Sequence, residues 1–432
     1  MKLKFILLTG LVTLIFACQS DIEVPVIEGE EGPRASNLRQ DIDLTSVEQQ
    51  MSVYTNTFAF NLLQRVYANE SPSENILLSP LSATLALSML HSGAVGTTGE
   101  EIRQTLGFDN VSRDAINKYA QKIISAMQTL DSRGVFESAN LICIKQEFPV
   151  LNQFKQINQQ YYDAEIRNVD FTQEAATLKL INSWSNEKTH GKIPEILKNI
   201  DPLTLLLLGN ALYFKGYWTT PFNKEASINA VFSTSSGVEQ MVPTMQMTSS
   251  SLHYALFNNY AAVELPFGNE AFSLVVILPD EDTDISDIIA QMDGDLWAQA
   301  ITVLGNYPYD AEKGDIIPVE IHLQIPRFKM EYERTLNNDL MAMGMKTPFM
   351  ETADFSLISQ FPLWISGVKQ KTFVQMDENG MEAAAVTVIN QMGSTGIKYT
   401  PVDFKVNRPF LYFIKEKSTG LIFFAGMMNK IS

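Results

Sequence analysis

The sequence predicts one large domain of mixed α and β structure, in the α+β class. The chain has 432 residues, of which 45% are hydrophobic, and this is enough apolar material for an extensive core. It contains no internal repeat, and no linker divides it into two domains, which favours a single domain. Stretches with helical spacing of apolar residues occur among stretches with the character of strands. The class follows from this mixture.

The individual elements follow from local patterns. Apolar residues at helical spacing begin near Glu48, so an amphipathic first helix is expected where the domain starts. A buried helix is predicted over residues 83–94, because this mostly apolar stretch follows Ser79, Pro80 and Ser82, which form a polar cap. A further helix is predicted over residues 176–188. Strands are predicted at 205–208, 261–265, 272–278 and 320–325.

The first 45 residues have the pattern of an exported protein. Lys2 and Lys4 precede an apolar run over residues 5–16, which predicts a signal peptide over residues 1–17. The junction Ala17-Cys18 resembles the bacterial lipobox, in which the cysteine is lipidated and becomes the new N-terminus. Ordinary secretion with an incidental cysteine is the alternative. Residues 18–45 are acidic and lack periodicity, so they are expected to be a tether. We therefore expect secretion across the inner membrane and a lipid anchor at the outer membrane or cell surface.

Charge and motifs exclude several functions. The net charge of −17 argues against nucleic-acid binding, which requires a basic surface. Two cysteines are too few for a disulfide framework, and Cys143 in its apolar run is expected to be a buried, unreactive thiol. The sequence has four histidines and no G-x-S-x-G, H-E-x-x-H or C-x-x-C motif, so an enzyme, a metal site and a cofactor are not expected.

A series of motifs from Glu48 to the C-terminus resembles the serpin family, in the order that the family shows. The resemblance covers the predicted domain, residues 46–432. It implies an α+β fold of three β-sheets and eight or nine helices, with a central sheet that can accept one more strand and an exposed reactive-centre loop at about residues 380–402. The motifs lie at residues 75–82, 93–94, 101–102, 181–184, 189–193, 209–218, 222, 265–267, 277–279, 325–328, 354–356, 408–414, 420 and 423–426.

The segment over residues 374–389 resembles the hinge of inhibitory serpins. A glycine is followed by a run of small residues, which offer little bulk against insertion between paired strands, and no proline occurs from 380 to 400. In a strand, the odd-numbered residues from Met381 onward would share one face, whereas Glu382 would point to solvent. The predicted hinge residues are Glu378, Gly380, Met381, Glu382, Ala383, Ala384, Ala385, Val386 and Thr387.

Two positions depart from the family pattern. Met381 stands where inhibitory members usually have threonine or serine, and because it is uncharged we expect it to slow insertion without blocking it. Gln370 stands where many relatives have histidine. In the family this position pairs with a cluster under the central sheet, here Ser79, Ser82 and Asn210, and an amide can satisfy the same partners.

The resemblance implies a protease inhibitor that acts as a suicide substrate. A serine or cysteine protease would cleave the loop, remain attached as a covalent acyl complex and be trapped when the loop inserts into the sheet. Insertion of residues 380–394 at ~3.3 Å per residue would move the protease by roughly 50 Å. The inhibitor is expected to be a monomer. A non-inhibitory binding protein with the serpin fold is the alternative, favoured by Met381.

The cleaved bond is predicted by counting along the loop. In the family, a usual number of residues separates the start of the hinge from the cleaved bond. If Glu378 is the first of these residues, the cleaved bond lies between Ser394 and Thr395. Met392 and Lys398 are the alternative bait residues. Ser394 or Met392 would suit an elastase-like protease, whereas Lys398 would suit a trypsin-like enzyme.

Overall fold

The computed structural model describes residues 37–71, 73–305, 309–310, 315–316, 319–381 and 399–431. The predicted signal peptide, Cys18 and most of the predicted tether lie outside these ranges. So do the hinge residues Glu382, Ala383, Ala384, Ala385, Val386 and Thr387, and the candidate bait residues Met392, Ser394, Thr395 and Lys398.

Nine α-helices occur within the described ranges. The first begins with a capping box, in which Thr45 and Glu48 satisfy each other's free backbone N–H groups. The second has proline in its first turn and is buried over almost its whole length, as predicted, but it ends at His91 instead of residue 94, and the Ser79 side chain makes no capping hydrogen bond. The helices are α1 (Ser46–Asn69), α2 (Pro80–His91), α3 (Gly96–Thr105), α4 (Arg113–Met127), α5 (Asn152–Tyr162), α6 (Glu174–Lys188), α7 (Ile285–Gln291), α8 (Gly294–Gly305) and α9 (Asn337–Ala342), with 3₁₀ turns at Lys224–Ala226 and Thr347–Phe349.

The strands alternate with the helices along the chain. All four predicted strands occur, and the one predicted at residues 205–208 is the start of a much longer strand. The strands are β1 (Ile76–Leu78), β2 (Val135–Lys145), β3 (Ala164–Val169), β4 (Leu206–Tyr217), β5 (Ile228–Ser233), β6 (Glu239–Ser249), β7 (His253–Leu256), β8 (Tyr260–Phe267), β9 (Phe272–Pro279), β10 (Tyr309–Asp310), β11 (Asp315–Ile316), β12 (Val319–Pro326), β13 (Phe328–Thr335), β14 (Lys369–Asp377), β15 (Gly380–Met381), β16 (Thr400–Lys405), β17 (Phe410–Glu416) and β18 (Ile422–Met428).

Among the described residues the strands form three sheets. One has eight strands in the order β1-β18-β17-β9-β8-β7-β10-β11, and a second has four in the order β16-β12-β6-β5. The third has six strands in the order β13-β14-β15-β4-β2-β3. The predicted α+β fold of three sheets with eight or nine helices is therefore confirmed.

Two apolar clusters lie on the two faces of the six-stranded sheet. The larger one lies between this sheet, the eight-stranded sheet and the helices α1, α2 and α8. The smaller one lies beneath α6 and includes Trp184 and Cys143. Cys143 is fully buried, and burial raises the pKa of its thiol to about 12. The side chain therefore stays a neutral thiol that packs as an apolar group.

Residues 37–45 lie against the domain, although the tether was expected to reach residue 45. The side chains of Ile42 and Leu44 are buried, and the amide of Asn37 donates to the carbonyls of Thr129 and Leu130. This packing could not be predicted from the sequence, because two apolar residues with weak periodicity do not indicate which distant surface they contact. The packed body therefore begins before α1. Within the described ranges, no helix is long and apolar enough to cross a membrane.

Candidate functional site

The candidate site is the gap between β4 and β14 in the six-stranded sheet. The two-residue strand β15 lies in this gap and pairs antiparallel with both neighbours. Met381 is opposite Met376 on β14 and opposite Gly216 on β4. Beyond these two residues, the described partners of β4 and β14 are only β2 and β13, on the sides away from the gap. Among the described residues, the facing edges of β4 and β14 therefore have no partner strand below β15 and could accept an added strand.

The turn that leads into β15 is held by buried polar contacts. The carbonyls of Asn379 and Glu378 accept hydrogen bonds from the backbone N–H groups of Trp218 and Phe222, at 2.9 and 2.8 Å. Burial raises the pKa of the Asp377 carboxyl above its ordinary value, and the nearby Glu378 carboxylate acts in the same direction. The turn is thus fixed to the end of β4 and to the segment that follows it.

Glu378 is an anchor of this turn. It is 3% exposed, and its carboxylate accepts a hydrogen bond from the Ser227 hydroxyl at 2.6 Å. Its other oxygen lies 3.5 Å from a guanidinium nitrogen of Arg327. A buried carboxylate requires partners of this kind, because an unpaired buried charge is costly.

Gly380 is required by the close approach of β4. A Cβ at this position would lie 2.1 Å from the carbonyl oxygen of Gly216 and 2.8 Å from the Cα of Tyr217. Its φ of +154° is also a value that residues with a side chain rarely adopt. Only glycine allows the chain to enter between the two strands at this point.

Met381 fills an apolar space just beyond the glycine. It is 1% exposed and belongs to the core, where Leu212 and Phe214 of β4 and Val374 of β14 surround the same small cavity. The methionine therefore already occupies the first position of an inserted strand on its core-facing side. Its flexible, unbranched side chain suits an irregular space of this kind.

Below Met381 the gap widens into a cavity of about 230 Å³. Its sides are residues 206–210 of β4 and residues 363–370, which lead into β14 and include its first two residues. Helix α2 forms its floor, and Trp184 and Ile181 of α6 lie on the opposite side. The lining is mostly apolar. The gap thus runs from β15 at its upper end to the starts of β4 and β14 at its lower end.

Three of the four residues of the predicted cluster, Ser82, Asn210 and Gln370, line this cavity. The Gln370 amide exchanges two hydrogen bonds with the backbone of Ser79, accepting at 2.9 Å and donating at 2.8 Å. The Ser82 hydroxyl donates to the side-chain oxygen of Asn210. Ser79 and Ser82 lie at the start of α2, which therefore holds β14 through one pair and β4 through the other.

The outer face of the gap is crossed by the segment that follows α6. The centre of the His190 ring lies 4.5 Å from the centre of the Tyr213 ring, which belongs to β4. The Lys192 ammonium lies 5.4 Å from the centre of the Phe373 ring, which belongs to β14. The Lys371 ammonium donates to the Glu195 carbonyl at 2.8 Å. This segment covers the gap without filling it.

Sequence reasoning missed three residues of the site. Asn140 on β2 accepts a hydrogen bond from the Asn210 amide at 2.6 Å, so it extends the polar contacts of β4. Ser227 and Arg327 were not identified as partners of Glu378. Arg327 lies in one of the motifs quoted for the family, and a search for a cation to pair with the hinge carboxylate could have found it.

Comparisons with known proteins agree with this architecture. A sequence profile described as "Serpin (serine protease inhibitor)" matches residues 53–431. Iripin-2 of Ixodes ricinus is 31% identical over 395 residues, covering 89% of this chain and 94% of the relative. The human leukocyte elastase inhibitor is 30% identical over 388 residues, 88% of this chain and 99% of the relative.

A solved structure shows the same fold. The crystal structure of the thermophilic serpin tengpin in its native state superposes with a TM-score of 0.79 and 30% identity, covering 92% of this chain and 98% of that one. The class of protein is defined by three observations. The sheet has a gap as wide as one strand, a hinge glycine lies at the upper end of the gap, and the profile matches nearly the whole domain. The chain belongs to the serpin family.

Proposed function

We propose that this protein inhibits a serine or cysteine protease as a suicide substrate, through cleavage of its loop, acyl-enzyme trapping and strand insertion. The observation that carries the proposal is β15, since the first two residues of the loop already pair with both β4 and β14. The gap continues below them into the cavity. A cleaved loop would lengthen this short strand without any change of register.

The register of β15 defines where each inserted residue would lie. Each step along the loop moves the partner one residue back along both β4 and β14. Ala383 would lie opposite Phe214 and Val374, whose side chains face the larger core. A small residue is the type that fits there without displacing neighbours.

If the loop inserted in the same register, Thr387 would lie at the polar cluster. This residue would lie opposite Asn210 and Gln370, which line the cavity. A hydroxyl could bond either amide, so a polar residue at this position would leave no buried group unsatisfied. The alternation of the loop thus fits the alternation of the gap.

The energy of insertion comes mainly from new ladder hydrogen bonds. On the order of ten new bonds at about 0.5–1.5 kcal/mol each would contribute about 5–15 kcal/mol. The entropy cost of ordering the loop is subtracted from this.

We infer an elastase-like prey, with cleavage after Ser394 or Met392. The human relative is named a leukocyte elastase inhibitor, which supports a preference for small or unbranched bait residues. The trypsin-like alternative rests on Lys398. Mass spectrometry of the fragment released by a panel of proteases distinguishes the three bonds.

The test of the proposed function is formation of a covalent complex. Incubation with an elastase-like serine protease is expected to give a band on a denaturing gel with the summed mass of both proteins. Cleavage within residues 391–400 is expected to raise the melting temperature, because insertion adds a strand to the sheet. No complex with any serine or cysteine protease, together with an unchanged melting temperature, would show instead a non-inhibitory binding protein of the same fold.

We further propose that the mature protein is anchored by lipid on Cys18, at the outer membrane or cell surface. The support is the signal-like run before Ala17-Cys18. Cys18→Ser is expected to convert membrane-associated protein into a soluble or unprocessed form. Unchanged partitioning into membranes would contradict the anchor.

A further inference from the structure

A second cavity, called the helix cavity, lies between the helices α1, α3 and α9. Its volume is about 490 Å³, which is within the range of roughly 300–1,000 Å³ found for small-ligand sites. It shares no lining residue with the cavity in the gap, and its lining is mainly polar. The lining includes Asn61, Gln64 and Arg65 of α1, Gln104 and Thr105 of α3, and Met343 just after α9.

Helix α1 presents three hydrogen-bonding side chains to the helix cavity. Asn61, Gln64 and Arg65 are three and four residues apart, so they lie on one face of the helix. The side-chain amide of Gln64 donates to the carbonyls of Ile289 and Met292, both at 3.0 Å. These two bonds fix the Gln64 side chain and leave its oxygen as an acceptor. One wall of the helix cavity is therefore polar and preformed.

Arg65 is the charged residue of the lining, and its charge is not matched nearby. It forms no ion pair with the residues that the structure describes. The acids Glu70 and Asp339 on the neighbouring elements are bound by Arg334, at 2.8 and 2.7 Å. The carboxylate of Glu101 on α3 is used by two backbone N–H groups, at 2.8 and 2.6 Å. An exposed guanidinium of this kind can bind a carboxylate through two parallel hydrogen bonds.

The ends of α3 and α9 supply polar side chains and not free carbonyls. The Gln104 carbonyl accepts from the backbone N–H of Gly107 at 2.9 Å, and the Met341 carbonyl accepts from that of Gly344 at 3.1 Å. The Gln104 side chain is exposed beside the helix cavity. The Thr105 hydroxyl is buried and has no hydrogen-bond partner in the described part of the chain. Amides and a hydroxyl that can both donate and accept thus surround the guanidinium.

We propose that the helix cavity binds an acidic sugar of the sialic acid class, with its carboxylate on Arg65 and its hydroxyl and acetamido groups on the surrounding amides. The carboxylate matches the guanidinium in charge and shape. The sugar hydroxyls can donate to the fixed Gln64 oxygen and accept from the amide of Gln104. Met343 provides an apolar contact for the acetamido methyl group. This site is independent of the proposed inhibitor function.

Two other anions fit the helix cavity less well. Phosphate and sulfate mainly accept hydrogen bonds, so they would leave the Gln64 oxygen without a donor. A long polyanion would be repelled by the net charge of −17, and the lining offers one cation, Arg65, to offset this. A small ligand with one carboxylate and several hydroxyls is therefore the class that the lining favours.

The test is calorimetric titration of the purified protein with N-acetylneuraminate. Saturable binding with a Kd of about 0.1–1 mM is expected for a ligand of this size. Arg65→Ala is expected to weaken binding at least about tenfold, because it removes the charge-assisted hydrogen bonds. Gln104→Ala is expected to weaken binding about threefold, and it keeps the test valid if Arg65→Ala folds poorly.

Two ligands and one variant are the controls. N-acetylmannosamine lacks the carboxylate and acetate lacks the hydroxyls, so each is expected to bind at least about tenfold more weakly than N-acetylneuraminate. Arg103→Ala removes the same charge from α3, but the Arg103 guanidinium donates to the Asp109 carbonyl and does not line the helix cavity. This variant is expected to bind N-acetylneuraminate as the parent does.

The outcomes support or overturn the site. No saturable binding up to about 10 mM, equal binding of acetate, or parental binding by Arg65→Ala would overturn it. Sialyllactose bound as tightly as N-acetylneuraminate would identify the ligand as the end of a glycan, and weaker binding would identify the free acid. Both results support the site. Because no protease enters the titration, failure of the inhibitor function would leave the binding result unchanged.

Discussion

The two ends of the gap between β4 and β14 differ in what fills them. At the upper end, β15 pairs with both strands, Met381 is buried and Glu378 is bound to Ser227 and Arg327. At the lower end the same strands enclose a cavity of about 230 Å³, lined by leucines and by Gln370. The upper end therefore defines where an added strand starts and in which register, and the lower end provides the space for it.

This difference has an energetic meaning. The upper end is packed and hydrogen-bonded, so a change there disturbs contacts that exist before any cleavage. The lower end has unfilled apolar space and, among the described residues, strand edges without a partner strand, which are unfavourable until a strand enters. Variants of the loop, of the upper end and of the lower end should consequently affect different steps.

The largest effect is expected from a charge on the core-facing side of the inserted strand. Ala383→Arg would place a cation between Phe214 and Val374 after insertion, and burial of an unpaired charge costs several kcal/mol. Insertion should slow while cleavage continues. The ratio of covalent complex to cleaved inhibitor on a gel is expected to fall at least about tenfold.

The control for this change is Glu382→Arg, which adds the same side chain one residue earlier. In the register of β15 this residue would lie opposite Lys215 and Gln375, on the other face of the sheet. It is expected to retain most of the complex. An equal loss of complex in both variants would show that the charge acts before insertion, for example on recognition of the loop.

A smaller effect is expected at the upper end before cleavage. Gly380→Ala would bring a Cβ to 2.1 Å from the Gly216 carbonyl oxygen, so β15 must move out of the gap. The free energy of unfolding of the uncleaved protein should fall by about 1–3 kcal/mol, measured by urea denaturation. Gly237→Ala is the control, since Gly237 also has positive φ but no atom within 4 Å of its Cβ. An equal decrease in the free energy of unfolding in both variants would mean that glycine is required because of its backbone conformation, and not because β4 lies close to it.

The upper end could be predicted from sequence more completely than the lower end. The hinge glycine and the alanines after it are a local pattern, and Gly380 indeed enters the sheet where that pattern begins. The partners of the cluster were harder to predict. The bonds of Gln370 go to the backbone of Ser79 and not to its hydroxyl, which instead donates to the Phe423 carbonyl. Which of these hydrogen bonds form depends on the position of α2 relative to the sheet, and no local sequence pattern encodes that position.

The widening of the gap was beyond sequence reasoning for a related reason. Residues 206–210 and 363–370 are far apart in the chain, and their separation depends on how α2 and α6 pack on the two faces. The packing of residues 37–45 also depends on distant partners, such as the Ser418 hydroxyl, which accepts from the backbone N–H of Ile42 at 3.0 Å. Local patterns predicted the elements, whereas spaces and contacts between elements required the fold.

The smallest effect is expected from the polar pair that holds β4 at the lower end. Ser82→Ala removes the hydrogen bond to Asn210, which should lower the free energy of unfolding by about 0.5–1.5 kcal/mol. Because α2 would hold β4 less firmly, the gap should open more readily, and inhibitory activity should be lost faster on heating as the uncleaved loop inserts. The measurement is the half-life of inhibition at a fixed elevated temperature. Ser52→Ala is the control, since its buried hydroxyl contacts Tyr119 away from the gap, and equal half-lives in the two variants would show that the pair contributes stability without controlling the gap.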